Sequence, residues 1–538
     1  MQRTGCLQDN MNKQILLGAE AVAQAALDAG ISGVYAYPGT PSTEIAQFIQ
    51  QSAQARESGV HSKWCVNEKT AYEAALGISY AGKRALVSMK HVGLNVAADP
   101  FMNSAITGIH GGLVLVVADD PSMHSSQNEQ DSRFYGKFAM IPVLEPSTQQ
   151  ESYEIVRYAF DLSEEVKLPV MVRIPTRLSH SRSVVETGEA LPQRQLAPTQ
   201  ERNRWILLPV NARKGYTRLL EMQSQLITRS EFSRFNREIP GSGDKGVIAF
   251  GIAYNYVMEV NRAYSLDLPV LKLSHYPLPE RKISEFTGKY SEILIAEEGY
   301  PLYEELLKGF FGNRKFRGRL DGALPRTGEL SPTILAAAMG VELGDARSIP
   351  GIVEPRPPML CQGCSHRDLF DAILQALAPY PERHLFGDIG CYTLGALSPY
   401  NAISSCVDMG ASITMAKGAA DAGLFPAVAV IGDSTFTHSG ITGLLDAVND
   451  QSALTVIISD NGTTAMTGGQ ESSGYGKYGA ICRGIGVEES HIREIVPLKR
   501  NFEENVKVLK EEFEYAGVSV IISRRECVQT AVKSRKHE

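Results

Sequence analysis

The residues with the plainest chemical content lie between Gly432 and Asn461, in the stretch GDSTFTHSGITGLLDAVNDQSALTVIISDN. Asp433 follows one apolar run, residues 427–431, and Asp460-Asn461 follow a second, residues 453–458. A carboxylate and an amide carbonyl are hard oxygen donors of the kind that hold Mg²⁺, and Mg²⁺ so held can carry a diphosphate. Val- and Ile-rich runs of this length suit buried parallel strands. Two such strands joined by a helix end at the same sheet edge, which sets Asp433 against Asn461. That helix is expected over about 440–448, after a glycine-containing turn. The turn and the helix start offer N–H donors to phosphate. The same pattern also fits an ordinary βαβ unit whose polar residues sit at strand ends by chance.

Other candidates stand at strand ends in the N-terminal third. A short strand over 34–37 runs into the turn YPGTPSTE, where Thr40 and Ser42 expose hydroxyls; a simple helix N-cap would look the same. Glu68 opens a small-residue helix over 70–80, and a helix start favours a carboxylate even without a ligand. The strand over 85–89 ends at Lys90-His91, and the run 113–118 ends at Asp119-Asp120. After it comes PSMHSSQNEQDSRFYGKFAMIPVLEPS, a long polar loop of the kind that carries function more often than filler. Glu297-Glu298 could pass for paired catalytic carboxylates; a strand end before a helix start is the simpler reading.

These positions need elements to hold them. At 538 residues the chain is too long for one core, and two to four domains are expected. Its hydrophobic content of 43% and charged content of 21% suit an α/β protein in water. A net charge of −7 argues against a general nucleic-acid binder and for small-molecule or protein partners. No apolar stretch reaches the length of a membrane span, and residues 1–13 read as a polar leader without a signal-peptide core. A cytoplasmic protein is therefore expected. In that setting its eight cysteines are not a disulfide framework, and the CxxC of Cys361 and Cys364 needs an account of its own.

Strands alternate with helices, which gives doubly wound, mainly parallel sheets. The expected divisions are an α/β domain over 14–183, a linker and irregular segment over 184–245, a smaller α/β domain over 246–310, a connector over 311–357, and a last α/β domain over 358–538.

The stretches YPGTPSTEI, VNEKTA, MKHVGLNVAADP, ADDPSMHSSQNEQDSRFY, CQGCSHR, GDIGCYTLG, GDSTFTHSGI and DNGTTAMTG resemble, in this order, the alpha subunits of the indolepyruvate ferredoxin oxidoreductases. These belong to the thiamine-dependent 2-oxoacid:ferredoxin oxidoreductases. Ser434 stands where the general thiamine-diphosphate motif has glycine. The resemblance covers residues 15–530 and implies a thiamine-diphosphate-binding fold: a pyrimidine-binding domain, a transketolase-C-like middle domain and a diphosphate-binding domain. The cofactor would lie between the first and last. It implies Glu68 on N1′ of the aminopyrimidine, helping to remove the proton from thiazolium C2. It implies Asp433, Asn461 and the Thr463 carbonyl around Mg²⁺, with Gly390, Tyr392, Gly432 and Ser434 also at the cofactor. Thr40 falls beside the substrate carbonyl, and Lys90, His91 and His438 near the substrate carboxylate or its protons. Cys361, Cys364, Cys391 and Cys527 fall where the family holds a [4Fe-4S] cluster, although zinc or no metal remain readings of such a set.

The implied activity is oxidation of an aryl 2-oxoacid such as indolepyruvate to an acyl-CoA, in a heteromer with a smaller beta subunit. A non-oxidative thiamine-dependent decarboxylase is the alternative. The family's C-terminal ferredoxin-like run, two CxxCxxCxxxC motifs, is not in this sequence. Electrons are then expected to leave through a partner subunit, ferredoxin or another acceptor.

Overall fold

The computed structural model describes residues 12–311, 316–344, 351–353, 359–381, 384–406 and 408–537. The chain divides into two compact units, Met1–Ser348 and Ile349–Glu538. Both are α/β with mainly parallel sheets, as the strand–helix alternation predicts.

In the first unit, seven strands line up in the order His275–Tyr276, Val143–Leu144, Val170–Pro175, Leu113–Asp119, Ala85–Lys90, Gly33–Ala36 and His61–Trp64. All neighbours are parallel except the first pair. The three longest strands are buried at every position, because helices cover both faces. The alanine-rich helix Gly18–Asp28 is buried almost all round, which small side chains permit. It ends at Gly30, whose φ of +72° and whose closeness to the Leu191 and Pro192 carbonyls leave no room for a Cβ. A second sheet runs Phe316–Arg317, Glu292–Ala296, Lys245–Phe250, Val270–Leu273, Arg237–Ile239.

Three expected divisions are corrected. A strand, Asn12–Leu17, begins inside the expected leader; residues 1–11 lie outside the described residues. It pairs antiparallel with Arg182–Thr187, inside the expected linker. That linker also holds a long helix, Pro209–Glu231, and the edge strand Arg237–Ile239 of the second sheet. The expected connector supplies the opposite edge strand, Phe316–Arg317, and the helix Pro332–Ala338; 312–315, 345–350 and 354–357 of it lie outside the described residues. These strands are short or polar and exist through pairing with distant partners, which no local window of sequence reports.

The two larger sheets of the first unit are joined by buried charge. Arg173 gives Nε to Asp119 at 2.5 Å, Nη1 to Glu145 and Nη2 to the Glu298 carbonyl at 3.0 Å. Arg133 reaches Asp131, Glu297 at 2.9 Å and the Tyr300 carbonyl at 2.8 Å. Tyr276, in the strand that joins the first sheet, donates to Glu145 at 2.8 Å. Glu297 accepts the N–H groups of Tyr303 and Glu304 at the start of Leu302–Phe311, and Glu298 that of Leu330. Glu297-Glu298 is thus a structural knot, not a catalytic pair; burial pushes both carboxyls up to about 7.

The second unit carries a wholly parallel sheet ordered Leu385–Gly387, Ala427–Gly432, Leu454–Asp460, Val518–Arg524, Ile492–Ile495. Helices Ser365–Leu377 and Phe502–Glu514 pack together, as do Ala411–Asp421 and Ile441–Asn449. The expected glycine turn after Gly432 is absent. The chain enters a helix at Asp433–Thr435, widens through one i→i+5 turn at Phe436–Gly440, and continues as Ile441–Asn449. Gly440, the expected helix start, lies within a longer helical run, where Ile431 and Phe436 crowd the place of its Cβ. Among the described residues no helix is long and apolar enough to cross a membrane.

Removing one partner of a buried ion network strands the others. Arg173→Met is expected to cost about 3–5 kcal/mol, read as an earlier unfolding transition by calorimetry. An unchanged transition would show that Asp119 and Glu145 do not depend on the guanidinium.

Candidate functional site

At the C-terminal edge of the second unit's sheet, Gly432 stands opposite Ser459 in register, so the next residues, Asp433 and Asp460, leave the sheet side by side. Asp433 is 3% exposed. Its Oδ1 accepts the Ser434 N–H at 2.7 Å, while Oδ2 is buried with no hydrogen bond of ordinary geometry. Burial pushes this carboxyl up to about 7; the neighbouring Asp460 carboxylate adds to the effect, and the N–H groups of Ser434, Gly462 and Asn461 oppose it. A buried carboxylate oxygen lacking a donor is what a cation would complete. Asn461 Oδ1 accepts the Thr463 N–H at 3.1 Å, which holds the amide over the turn through Gly462.

Tyr392 and the glycines form the floor of this edge. The Tyr392 ring edge lies on Gly432 and Gly390, where a Cβ would come within 2.7 and 2.4 Å of it. Its hydroxyl donates to the Ile389 carbonyl at 3.1 Å, and Thr435 donates to the same oxygen at 3.0 Å. His438 is buried in the wide turn, with Nδ1 and the Ser439 hydroxyl 2.6 Å apart. Sequence reasoning missed Asp388. Fully buried, it accepts the N–H groups of Ile389, Gly410 and Ser412, and so fixes the start of helix Ala411–Asp421 against the GDIGC turn. Its position after a short strand and before Ile-Gly was the available signal.

The four cysteines singled out by the resemblance are free thiols on three separate segments, and they are neighbours. Burial, then the thiols of Cys364, Cys527 and Cys361, pushes Cys391 up to about 12. Burial also raises Cys364, against the His366 backbone N–H. Cys361 is exposed and touches the Gln529 amide at 3.5 Å; the Cys527 N–H bonds the Asn461 carbonyl at 3.2 Å. The thiol set is thereby built onto the same strand end as Asn461. Among the described residues, no three His, Cys, Asp or Glu side chains close on one point tightly enough for a single metal ion. Cys6 lies outside the described residues; Cys65, Cys406 and Cys482 have no part in this set.

In the first unit, Glu68 is 5% exposed at the first position of helix Glu68–Tyr80, capped by Asn67 accepting the Thr70 N–H at 2.9 Å. Its carboxylate rests on Gly93, where a Cβ would meet Oε1 at 2.4 Å. Lys90 is buried, and burial brings its ammonium down to about 8; Nζ donates to the Ser125 carbonyl at 2.7 Å. The Ser125 hydroxyl reaches the Thr40 carbonyl at 3.3 Å, so the Thr40 turn and the Lys90 strand end meet through the polar loop. His91 is buried, neither ring nitrogen makes a hydrogen bond of ordinary geometry, and burial lowers its pKa. Glu68, Thr40, Lys90 and His91 are thus set at or just beyond the strand ends of one sheet.

Residues 24–216 match the family described as "Pyruvate flavodoxin/ferredoxin oxidoreductase, thiamine diP-bdg", and residues 388–522 the "Thiamine pyrophosphate enzyme, C-terminal TPP binding domain". The chain is 39% identical to the indolepyruvate oxidoreductase subunit IorA of Archaeoglobus fulgidus, over 98% of its own length and 88% of that protein's. It is 38% identical to the subunit of the same name from Methanothermobacter thermautotrophicus, over 98% and 90%. The chain belongs to the IorA family. A solved 2-oxoglutarate:ferredoxin oxidoreductase from Magnetococcus marinus shares the fold, with a TM-score of 0.52 at 15% identity over 61% of this chain and 64% of that one.

In this IorA-family chain, Asp433 lies in the C-terminal thiamine-type domain and Glu68 in the N-terminal one. Tyr392 sets how closely the chain can turn at Gly432. Gly432→Ala is expected to displace the ring at a cost of about 1–3 kcal/mol and to lower the second unit's unfolding temperature. A variant as stable as the parent would show that the ring yields freely.

Proposed function

We propose that the chain is the thiamine-diphosphate-binding subunit of an oxidoreductase that acts on an aryl 2-oxoacid of the indolepyruvate kind. The balance is RCOCOO⁻ + CoASH → RCO–SCoA + CO₂ + H⁺ + 2 e⁻. The observation that carries this reading is the buried, undonated Oδ2 of Asp433 on a strand end paired with that of Asn461. Family membership supports it, since the relatives are named indolepyruvate oxidoreductase subunits.

Thiamine diphosphate held here would supply the electron sink that decarboxylation of a 2-oxoacid needs. Asp433, Asn461 and the Thr463 carbonyl hold the Mg²⁺ that grips its diphosphate, with the Ser434 N–H and the helix start behind them. Glu68 holds the proton at N1′ of the aminopyrimidine. Its burial at a helix start holds the carboxylate in place, and Gly93 leaves it room. Lys90 offers a cation to the substrate carboxylate. The Thr40 hydroxyl faces the substrate carbonyl, and His91 and His438 handle protons. Cys361, Cys364, Cys391 and Cys527 hold a [4Fe-4S] cluster that accepts electrons singly. The thiols of Cys361, Cys364 and Cys527 lie close enough to Cys391 to bear on its ionisation, and four cysteines are the ligand set of a [4Fe-4S] cluster. A smaller subunit completes the enzyme, and ferredoxin or a similar acceptor takes the electrons.

The test is the anaerobically purified complex with its smaller subunit. It should hold iron, and it should reduce a viologen dye only with both indolepyruvate and CoA. Aldehyde release without dye reduction would contradict the oxidative reading. Glu68→Gln should keep thiamine diphosphate while turnover falls by about 10²–10⁴-fold; full turnover would remove Glu68 from the chemistry. Cys391→Ser should lose iron and leave thiamine binding intact, and unchanged iron would exclude Cys391 as a ligand.

A further inference from the structure

Two rings of the second unit are neither oxygen donors nor thiols, and each joins one set to the other. His366, two residues after Cys364, is 1% exposed at the start of Ser365–Leu377. Its backbone N–H bears on the Cys364 sulfur. Its Nδ1 and the Ser459 Oγ share a hydrogen bond of 3.0 Å. Ser459 is the residue in register with Gly432, one step before Asp460 and Asp433 on the two paired strands. Tyr392, the residue after Cys391, lays its ring edge on Gly432 itself. The two rings meet at 5.8 Å and 69°, an edge-to-face contact.

We infer that His366 is a positioning residue which, with Tyr392, ties the thiol set to the strand ends carrying Asp433 and Asn461, so that filling one site is registered at the other. This rests on the reading of those two sites as the cluster and the Mg²⁺–diphosphate site. A buried imidazole is expensive to place where an apolar side chain would pack, and it is retained here with its ring nitrogen bonded to the hydroxyl of Ser459, the residue in register with Gly432. Every link in the path is covalent, a hydrogen bond or close packing. Interiors packed in this way pass on small shifts instead of absorbing them. A diphosphate held at Asp433 would bear on Gly432 and Ser459, which stand one residue before the strand ends. They in turn bear on Tyr392 and His366, and these hold the backbone next to Cys391 and Cys364. N–H groups around a cluster's sulfurs set its electronic state, so the displacement has a spectroscopic consequence.

The experiment uses the reduced complex and records the electron paramagnetic resonance spectrum and midpoint potential of the cluster, with and without Mg²⁺ and thiamine diphosphate. The cofactor is expected to shift both in the parent. His366→Leu should retain iron and cofactor and lose the shift. His366→Asn, whose amide can meet the Ser459 hydroxyl where Nδ1 does, should restore it. Ser459→Ala removes the same bond without touching the ring, and it should also lose the shift; it keeps the test open if the leucine variant does not fold. No shift in the parent, or the parent's full shift in both His366→Leu and Ser459→Ala, would overturn the inference while the functional reading stands. A parent complex whose Cys391→Ser variant keeps all its iron would overturn the cluster assignment first, and this inference with it.

Discussion

The register of one parallel strand pair governs the second unit. Ala427–Gly432 and Leu454–Asp460 are bonded so that Gly432 faces Ser459. A slip of one residue would turn every buried Val and Ile of the pair toward the wrong face, so the apolar core fixes the register. The polar ends come with it: a carboxylate on one strand and an amide one turn beyond the other. The site is a by-product of core packing carried to the last residue of the sheet. The core is rigid and the charge at its edge is expensive. Burial raises the Asp433 carboxyl and leaves one of its oxygens without a hydrogen bond of ordinary geometry.

The first unit meets the same problem differently. Its buried carboxylates, Asp119, Asp131, Glu145 and Glu297, are neutralised from within by Arg133 and Arg173. That network sits where a strand of one sheet's segment crosses to the other. It makes the expected first and middle domains one compact unit. Glu297-Glu298, for which the sequence favoured a plain strand end before a helix start, belongs with these ion pairs; Asp433, read on equal terms with an ordinary strand end, lies in the other unit.

Much of this was legible in the residues. The long apolar strands read true because burial on both faces leaves a continuous hydrophobic run. The neighbours of Asp433 and Asn461 followed from βαβ geometry alone. The Asn12–Leu17 ribbon did not, since NKQILL has no strand alternation and exists through a partner far along the chain. The helix entering at Asp433 was hidden by Gly440, whose lack of a side chain serves packing and not a turn. Asp388 was not singled out by the sequence, because its role as anchor for Gly410 and Ser412 depends on a contact between segments. The CxxC was visible, but the nearness of Cys391 and Cys527 to it is a property of the fold; only resemblance pointed there.

The central claim is that Asp433 completes a magnesium-dependent diphosphate site. Calorimetric titration of thiamine diphosphate into the parent and into Asp433→Ala, each with and without Mg²⁺, tests it most directly. Binding to the parent should require Mg²⁺, and the variant should bind about a hundredfold more weakly, the ~2.7 kcal/mol of a lost charge-assisted contact. Equal, magnesium-independent affinity in the two proteins would contradict the account.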